Sequence, residues 1–569
     1  MMQRLFISTF FILCMFHFGE SQTNKKILEG YFINPLDIDM KLSGTFGELR
    51  SNHFHSGLDI KTNQRTGAKV YAVANGYVSR IKIERYGYGK ALYVTHPNGY
   101  TSVYAHLEKF APRIEEYVKK RQYEKESFEI QLFPTDLELR VDQGDIIAYS
   151  GNSGGSGGPH LHFEIRDSAA KPINPMLMDI EIPDTKAPIV KQVMAYPLDE
   201  NSTINGRNQP ELIRLIPLKN GDFKTENFKA YGQIGIGVNT NDRQNGAANQ
   251  NGVYRIKSYL NGTKNFQITF DTYAFNETRY LNRLIDYNHF KKTKSRITKL
   301  FIPEGSPLSL YEDHIDYGVL SCYDAGVTNQ LKVEVMDFKD NTTSIHLKIT
   351  TDQPPGERMI PDNSHLSYVN HRESFTYNDG AFNVSIPKGA LYQNSLLDIK
   401  VNSDTVKIHQ DEIPLHKNIY INYNLKSKKE ENLKQYYIGR VTDWGSVYYT
   451  SSKIKNGVLT GSTRYFGTYA VSKDYTPPTI TPISFKNKQW ISNHKTLKIK
   501  IDDAQTGIKG YRATVNGEFI LMEYDYKTKL LVHDFEDGVV KDGENNLKVI
   551  VTDNVGNSTT FDAVFYRKN

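Results

Sequence analysis

The sequence predicts a mainly β protein, in which an antiparallel-sheet domain is followed by several β-sandwich domains. Its 569 residues are too many for one hydrophobic core and suggest roughly four domains. The 37 Tyr, 28 Phe and 41 Gly favour strands joined by tight turns. Short alternating runs separated by glycines begin near residue 44 and recur along the chain, as antiparallel sheets require.

The net charge is small for a protein of this size. The chain has 70 Lys and Arg against 64 Asp and Glu, which leaves +6 at pH 7. This imbalance is spread over a large surface, so it gives no reason to expect a nucleic-acid partner.

Residues 1–21 are typical of a secretory signal peptide. Arg4 precedes an apolar run that ends near Phe18, and cleavage is expected after Ser21. A membrane anchor is the alternative, but the run is shorter than the ~20 apolar residues that span a bilayer. We therefore expect export to the periplasm, the cell envelope or the extracellular space, without a stable membrane span after cleavage. Cys322 would then be the one remaining cysteine, which excludes an internal disulfide.

The first domain is placed at residues 22–182. Its predicted strands are 69–73, 77–83, 90–94 and 101–104. A surface helix is predicted from Pro112 to about residue 126, because proline suits a first helical turn and Ile114, Tyr117 and Val118 fall on one face. This helix opens an insertion that spans 112–140 and could shape access to a site.

The rest of the chain is predicted to form three β domains, at 183–352, 353–473 and 474–569. Two of them open alike, with Asp184-Thr-Lys-Ala-Pro188 and Asp474-Tyr-Thr-Pro-Pro478. Both also contain an alternating strand that leads into a turn, at Asp337-Phe-Lys-Asp-Asn341 and Asp553-Asn-Val-Gly-Asn557. We interpret these two as degenerate Ig-like β-sandwiches and the middle one as a separate β-rich domain.

The strongest functional pattern begins at His55-Ser-Gly57-Leu-Asp59. His and Asp are zinc ligands, and a catalytic zinc site takes three protein ligands and leaves one position open. A straight strand rises about 3.3 Å per residue, which would hold positions 55 and 59 too far apart to share an ion. The chain is therefore predicted to bend at Gly57, where glycine permits it.

A second pattern, His160-Leu-His162-Phe-Glu164, reads as a strand. Residues two apart share one face of a strand, so His160, His162 and Glu164 are predicted on one side, with Leu161 and Phe163 on the other. One histidine could bind an ion while its neighbour reaches the water or the substrate.

Three motifs together resemble the lysostaphin/LytM-like zinc metallopeptidases, which cleave peptide bonds in bacterial peptidoglycan. They are His55-x-Gly-x-Asp59, Tyr104-Ala-His106 and Gly158-Pro-His160-Leu-His162-Phe. The resemblance covers about residues 30–180, and the insertion at 112–140 departs from the compact family pattern.

The resemblance implies a Zn²⁺ ion held by His55, Asp59 and His162, with His106 and His160 as the catalytic pair. It also implies a groove between antiparallel sheets and metal-assisted hydrolysis, in which a neutral histidine accepts a proton from water. Which histidine does so stays open. Glu164 is expected to support the histidines from outside the ligand set.

The implied function is an exported zinc metalloendopeptidase that hydrolyses peptide bonds in peptidoglycan stems or crosslinks. One alternative is a catalytically silent regulator or scaffold of other cell-wall hydrolases, whose signature would be missing ligands; none is missing here. Another is an adhesion or scaffolding array formed by the C-terminal two thirds. His53 and His96 have no counterpart in the motifs and are expected to be structural or solvated. The bond cleaved and the oligomeric state stay open.

Overall fold

The computed structural model describes residues 30–356, 362–428 and 432–568, so the predicted signal peptide lies outside the described residues. The predicted fold class is confirmed, because antiparallel sheets dominate all the described ranges. Among the described helices, none combines the length and the apolar character needed to span a bilayer.

The first domain is built on one antiparallel sheet. Its strands are β1 (Leu42–Gly44), β2 (Leu58–Lys61), β3 (Lys69–Tyr71), β4 (Gly76–Ile83), β5 (Lys90–Thr95), β6 (Thr101–Phe110), β7 (Ile130–Leu132), β8 (Arg140–Val141), β9 (Ile146–Ser150), β10 (His160–Arg166) and β11 (Pro172–Ile173). The main order is β1-β2-β10-β6-β5-β4-β7, and β9 pairs with β3 and β6. The late strand β10 therefore lies between β2 and β6, which sets all three motifs side by side.

The predicted helix is confirmed as α1 (Pro112–Lys125). Ile114 and Val118 are buried and Tyr117 is half-buried, as their shared face predicts. Phe128, three residues beyond the helix, packs against the hydrophobic cores of both the first and the last domain. The insertion is thus a point of contact between domains.

The second domain shares its hydrophobic core with the first. Its elements are β12 (Ile189–Pro197), β13 (Thr203–Ile204), β14 (Glu211–Ile213), β15 (Leu215–Pro217), β16 (Phe223–Thr225), β17 (Phe228–Asn241), β18 (Arg255–Leu260), β19 (Thr263–Thr269), α2 (Leu281–Leu284), α3 (Tyr287–Thr293), β20 (Thr298–Lys299), β21 (Leu320–Cys322), β22 (Thr328–Met336) and β23 (Thr342–Thr351). Buried residues from Phe32 to Ile349 form one continuous cluster. At its centre the Tyr273 ring lies 5.3 Å from the rings of Phe46 and Phe54, and its hydroxyl donates to the Phe54 carbonyl at 2.9 Å.

The third and fourth domains each enclose a separate core between sheets. The third contains β24 (Ser367–Val369), β25 (Phe375–Asp379), β26 (Phe382–Ile386), β27 (Ser395–Leu397), β28 (Ile399–Asn402), β29 (Thr405–Ile408), β30 (Ile419–Asn424), β31 (Tyr436–Val441), β32 (Val447–Tyr449), β33 (Ser451–Lys455), β34 (Val458–Thr463) and β35 (Gly467–Lys473). The fourth contains β36 (Thr479–Pro482), β37 (Gln489–Trp490), β38 (Thr496–Asp502), β39 (Ile508–Val515), β40 (Glu518–Phe519), β41 (Glu523–Asp525), β42 (Leu530–Asp534), β43 (Gly543–Asp553) and β44 (Ser558–Arg567).

The two similar sequence openings occupy the same local structure. In the second domain, the Asn341 amide side chain donates to the Asp184 carbonyl at 3.5 Å and its backbone N–H to Asp337 Oδ1 at 2.9 Å. In the fourth, Asn557 makes the same two bonds to the Asp474 carbonyl and to Asp553 Oδ1, at 2.9 and 2.8 Å. Each opening is therefore tied to the turn that follows the alternating strand.

The fourth domain returns to the first and packs against its insertion. Lys119 forms an ion pair with Asp537 at 2.6 Å. The Arg85 guanidinium donates to the Ile508 carbonyl at 3.3 Å, and Arg512 pairs with Glu126. The chain thus ends beside the domain that carries the motifs.

Candidate metal centre

The three predicted ligands converge at the junction of β2 and β10. His162 lies directly opposite Asp59 on β2 and opposite Ala105 on β6. His55 Nε2, Asp59 Oδ1 and His162 Nδ1 lie 2.9 to 3.0 Å from one another. Tetrahedral bonds of about 2.0–2.1 Å to nitrogen and oxygen would set ligand atoms about 3.3 Å apart, so the arrangement fits one ion of this kind.

The chain bends at Gly57 as predicted, but close packing is the further reason for glycine. A Cβ at this position would lie 2.2 Å from the Phe163 carbonyl oxygen and 2.8 Å from Cγ of Glu164. The segment that carries His55 is therefore pressed against β10. A side chain at 57 would push His55 away from His162.

Hydrogen bonds at the far side of each ligand histidine fix its tautomer. His55 Nδ1 lies 2.8 Å from the Thr45 carbonyl, and His162 Nε2 lies 2.8 Å from Glu164 Oε1. Each of these nitrogens is placed to donate a proton, so in the neutral rings His55 Nε2 and His162 Nδ1 carry the lone pairs and face Asp59. This is the donor set that a metal cation requires.

Glu164 is buried beside the centre and accepts a hydrogen bond from His162, as expected for a residue that supports the histidines from outside the ligand set. Ser56 donates to it at 2.6 Å, Arg166 at 2.6 Å and the Tyr88 hydroxyl also donates. Burial alone would raise the pKa of Glu164, but Arg166 and His162 outweigh it and hold the pKa well below its usual range. Glu164 is therefore a carboxylate under all ordinary conditions.

The negative surroundings favour positive charge at His162. Burial lowers the pKa of His162, but the hydrogen bonds to Asp59 and Glu164 outweigh burial and raise it to about 9. The same two carboxylates would favour a metal cation, which on binding would displace the second proton from His162 Nδ1. Arg50 fixes the other oxygen of Asp59, Oδ2, at 2.8 Å.

His106 and His160 flank the three ligands. The His106 ring centroid lies 4.8 Å from that of His160 and 5.9 Å from that of His162. His106 Nδ1 donates to the Ser153 carbonyl at 2.9 Å and His160 Nδ1 to the Gly158 carbonyl at 2.8 Å. Both rings therefore present Nε2 as an acceptor, and that of His160 lies 3.3 Å from Asp59 Oδ1.

His106 has an unusual backbone and a shifted pKa. Its φ of 58° lies in the left-handed region, which costs about 1–2 kcal/mol for a residue other than glycine. Burial, together with repulsion from His162 and His160, lowers its pKa to about 3. His106 is thus a neutral base near pH 7.

His53 and His96, which were expected to be structural or solvated, lie outside the ligand cluster. His53 is exposed, and His96 is buried, with its nitrogens bonded to the Asn75 carbonyl and the Ser102 hydroxyl. Sequence reasoning missed Arg50 and Tyr88. Neither lies in a motif, and only their positions in the fold bring them to the centre.

Two accessory domains reach the edge of the centre. The Lys527 ammonium donates to the Asn152 carbonyl and, at 3.2 Å, to the Ser156 carbonyl in the glycine-rich loop before β10. On the other side, the Asn52 side chain donates to the Tyr465 hydroxyl at 3.1 Å. The first contact comes from the fourth domain and the second from the third.

Two family models match parts of the chain. Residues 53–123 and 133–175 match "Peptidase family M23", and residues 366–474 match "Zu5-like domain". The first match contains all five predicted site residues. The resemblance to lysostaphin/LytM-like metallopeptidases is therefore confirmed for this part of the chain.

Known proteins are similar to the chain over part of its length. The DD-carboxypeptidase/endopeptidase Mpg of Neisseria meningitidis serogroup B is 30% identical over 160 residues, which are 27% of this chain and 30% of that protein. The cell division protein DipM of Caulobacter vibrioides is 28% identical over 155 residues, 26% of this chain and 21% of that protein. The chain thus spans under a third of the length of these relatives.

Among solved structures, the catalytic domain of lysostaphin from Staphylococcus simulans is similar at 22% identity. The match covers 24% of this chain and 90% of that one, with a TM-score of 0.18.

Proposed function

We propose that this protein is an exported zinc metalloendopeptidase that hydrolyses peptide bonds in peptidoglycan stems or crosslinks. The observation that carries the proposal is the convergence of His55 Nε2, Asp59 Oδ1 and His162 Nδ1, with both histidine tautomers fixed by partners outside the cluster. The M23 match and the names of the relatives support the substrate class.

His55, Asp59 and His162 would hold the zinc ion. When bound, zinc supplies Lewis-acid polarisation of a peptide carbonyl and makes a water acidic near neutral pH. His106 and His160 present acceptor nitrogens on the same side, so they would take up the proton of the attacking water and return it to the leaving amine. Ser153 and Gly158 hold the two rings in the tautomer that this role needs.

The accessory domains would limit which substrates reach the centre. Lys527 contacts the loop that precedes His160, and Tyr465 contacts the segment that precedes His55. Access is therefore bordered by residues from domains outside the M23 match. We place the protein in the cell envelope on the strength of its predicted signal peptide and its relatives.

Digestion of purified peptidoglycan by the zinc-loaded protein, followed by mass spectrometry of the muropeptides, tests the proposal. New peptide ends are expected with wild type and with His53→Ala, whose side chain is exposed outside the cluster. They should be absent after chelation and with His162→Ala. Unchanged muropeptides in the wild-type sample would refute the proposed endopeptidase activity. A catalytically silent regulator would instead speed the digestion of peptidoglycan by a second hydrolase added to the same assay.

A further inference from the structure

Three aspartates meet where the first and second domains join. Asp184 lies in the segment before β12, Asp242 follows β17 and Asp337 follows β22. One carboxylate oxygen from each lies within 4.8 Å of the others. Three separate stretches of chain therefore bring negative charge to one point.

One of these carboxylates has a buried oxygen that accepts no hydrogen bond. Asp242 is 5% exposed, and its Oδ1 has no hydrogen-bond donor. Asp337, by contrast, accepts from the backbone of Lys339 and Asn341 at 2.8 and 2.9 Å. A buried, unpaired carboxylate oxygen is costly, so this position calls for a compensating charge.

No ion pair supplies that charge. Among the described residues, no lysine or arginine forms an ion pair with Asp184, Asp242 or Asp337, and the Lys186 ammonium donates to the Gln244 carbonyl at 3.3 Å instead. Burial, with repulsion from Asp337, raises the pKa of Asp242 to about 7, although the charge of Lys186 opposes this shift. The cluster is thus short of positive charge.

The three aspartates line a small cavity. Its volume is about 30 Å³, and Gln244 and Asn251 also line it, beside apolar residues such as Leu42 and Phe46. A space of about 10–15 Å³ already accommodates one water molecule, so an ion of similar size fits. The three candidate ligands are carboxylates. Ca²⁺ prefers ligand sets made of oxygen atoms, whereas zinc sites commonly include nitrogen or sulfur.

The fourth domain contains a matching triad, none of whose carboxylate oxygens is both buried and without a donor. Asp474, Asp503 and Asp553 also lie together. There, Thr506 donates its hydroxyl to Asp474 Oδ2 at 2.9 Å, and Asp503 Oδ1 accepts the backbone N–H of Gly507 at 2.7 Å. Hydrogen bonds already hold that triad, which singles out the one around Asp242.

We propose that Asp184, Asp242 and Asp337 form a binding site for a calcium ion, distinct from the zinc ligands. Calcium would neutralise the cluster and join the segment between the two domains to the loops after β17 and β22. The site lies next to β1, because Gln244 accepts the Leu42 N–H and donates to the Met40 carbonyl, both at 2.7 Å. Calcium would therefore stiffen the strand that leads to Thr45, the partner of His55 Nδ1.

Calcium content measured directly tests this site without any activity assay. The zinc-loaded protein is dialysed to equilibrium against Ca²⁺, and both metals are quantified by mass spectrometry. Asp242→Asn should bind one calcium fewer than wild type and the same amount of zinc. Asp443→Asn, which changes an exposed aspartate in the third domain, should match wild type. Equal calcium in wild type and Asp242→Asn, including none in either, would overturn the proposal.

Two further measurements keep the test decisive if the variant folds poorly. Calcium should raise the melting temperature of wild type and leave that of Asp242→Asn unchanged. Tb³⁺, a calcium surrogate, should give emission sensitised by Tyr254, whose ring lines the cavity, and Ca²⁺ should displace it. Absence of sensitised emission from wild type, or displacement by Mg²⁺ alone, would contradict the assignment.

Discussion

Lys90 on β5 lies 2.9 Å from both carboxylate oxygens of Glu523 on β41, a partner 433 positions further along the chain. Lys90 is 7% exposed, and its ammonium also donates to the Glu108 carbonyl at 3.0 Å. The backbone N–H of Lys90 donates to Ser153, whose carbonyl accepts from His106. The fourth domain is thereby connected to a predicted catalytic histidine through two residues.

Glu523→Gln should destabilise this contact. Lys90 would keep its charge in a buried position without an anionic partner, at a cost of about 1–3 kcal/mol, moderated by the partial exposure of Glu523. Scanning calorimetry should show a lower melting temperature. Glu518→Gln is the matched control, because its pair with Lys541 is 3.7 Å long and exposed on both sides. Equal melting of the two variants would contradict the role of Lys90.

Tyr273→Ala should weaken both folding and metal binding. It removes a ring that is 1% exposed and packs on Phe46 and Phe54, so about 3–5 kcal/mol of stability should be lost. Tyr273→Phe loses only the bond to the Phe54 carbonyl, at about 0.5–1.5 kcal/mol. Zinc titration should give lower affinity for Tyr273→Ala than for Tyr273→Phe. Wild-type affinity in both would mean that the second domain does not support His55.

His106 variants separate catalysis from metal binding. His106→Ala should retain zinc while turnover falls by about 10²–10⁴-fold, because a proton acceptor is lost and the ligands are not. His106→Gly should melt at a higher temperature than His106→Ala, since glycine adopts a φ of 58° without the penalty of about 1–2 kcal/mol. Loss of zinc from His106→Ala would reassign this histidine as a ligand.

Glu164→Gln should lower zinc affinity. The change removes the carboxylate charge next to His162 Nε2. Loss of such a partner typically lowers metal affinity by about 10–100-fold, and we expect a decrease of about that size here. Competition against a fluorescent zinc chelator measures the difference. Glu108→Gln removes a carboxylate on the exposed face of β6, where it accepts from Thr66, and should leave affinity unchanged.

Lys299, which lies outside both proposed metal sites, should make the stability of the protein depend on pH. Burial lowers its pKa to about 8 from 10.5. Between these pH values the folded protein binds fewer protons than the unfolded chain, so stability rises with pH across that interval, and the penalty is fully present below pH 8. Lys299→Met should therefore stabilise the protein at pH 7, by up to about 3 kcal/mol, and lose this advantage near pH 10.

Thermal unfolding of both proteins at pH 7 and pH 10 checks this prediction. Lys348→Met, at an exposed position on β23, is the control and should behave as wild type at both values. A gain for Lys299→Met that does not change with pH would attribute the effect to packing alone.

Local features of the fold could be predicted from the sequence because their causes are local. The spacing of Ile114, Tyr117 and Val118 determines the buried face of α1, and the alternation in His160-Leu-His162 determines which side chains share a face of β10. The recurring Asp and Asn that follow the two alternating strands likewise predict the turns that the structure contains.

Long-range features could not be predicted from one sequence. Nothing near residue 160 indicates that β10 pairs between β2 and β6, since such pairing depends on packing over a hundred residues. Arg50 and Tyr88 reach the centre for the same reason. The continuous core of the first two domains could not be predicted either, because a boundary placed at the opening motif of Asp184 gives no information about which apolar residues meet.

The contact of Lys527 with the Asn152 and Ser156 carbonyls sets an order of events during biosynthesis. The loop before His160 is made 371 residues or more before its partner lysine. The surroundings of the centre can therefore be completed only after synthesis has passed position 527. Until then the loop lacks its contact with Lys527. A nascent chain, or one truncated before this residue, would therefore lack one of the contacts that hold the loop before His160.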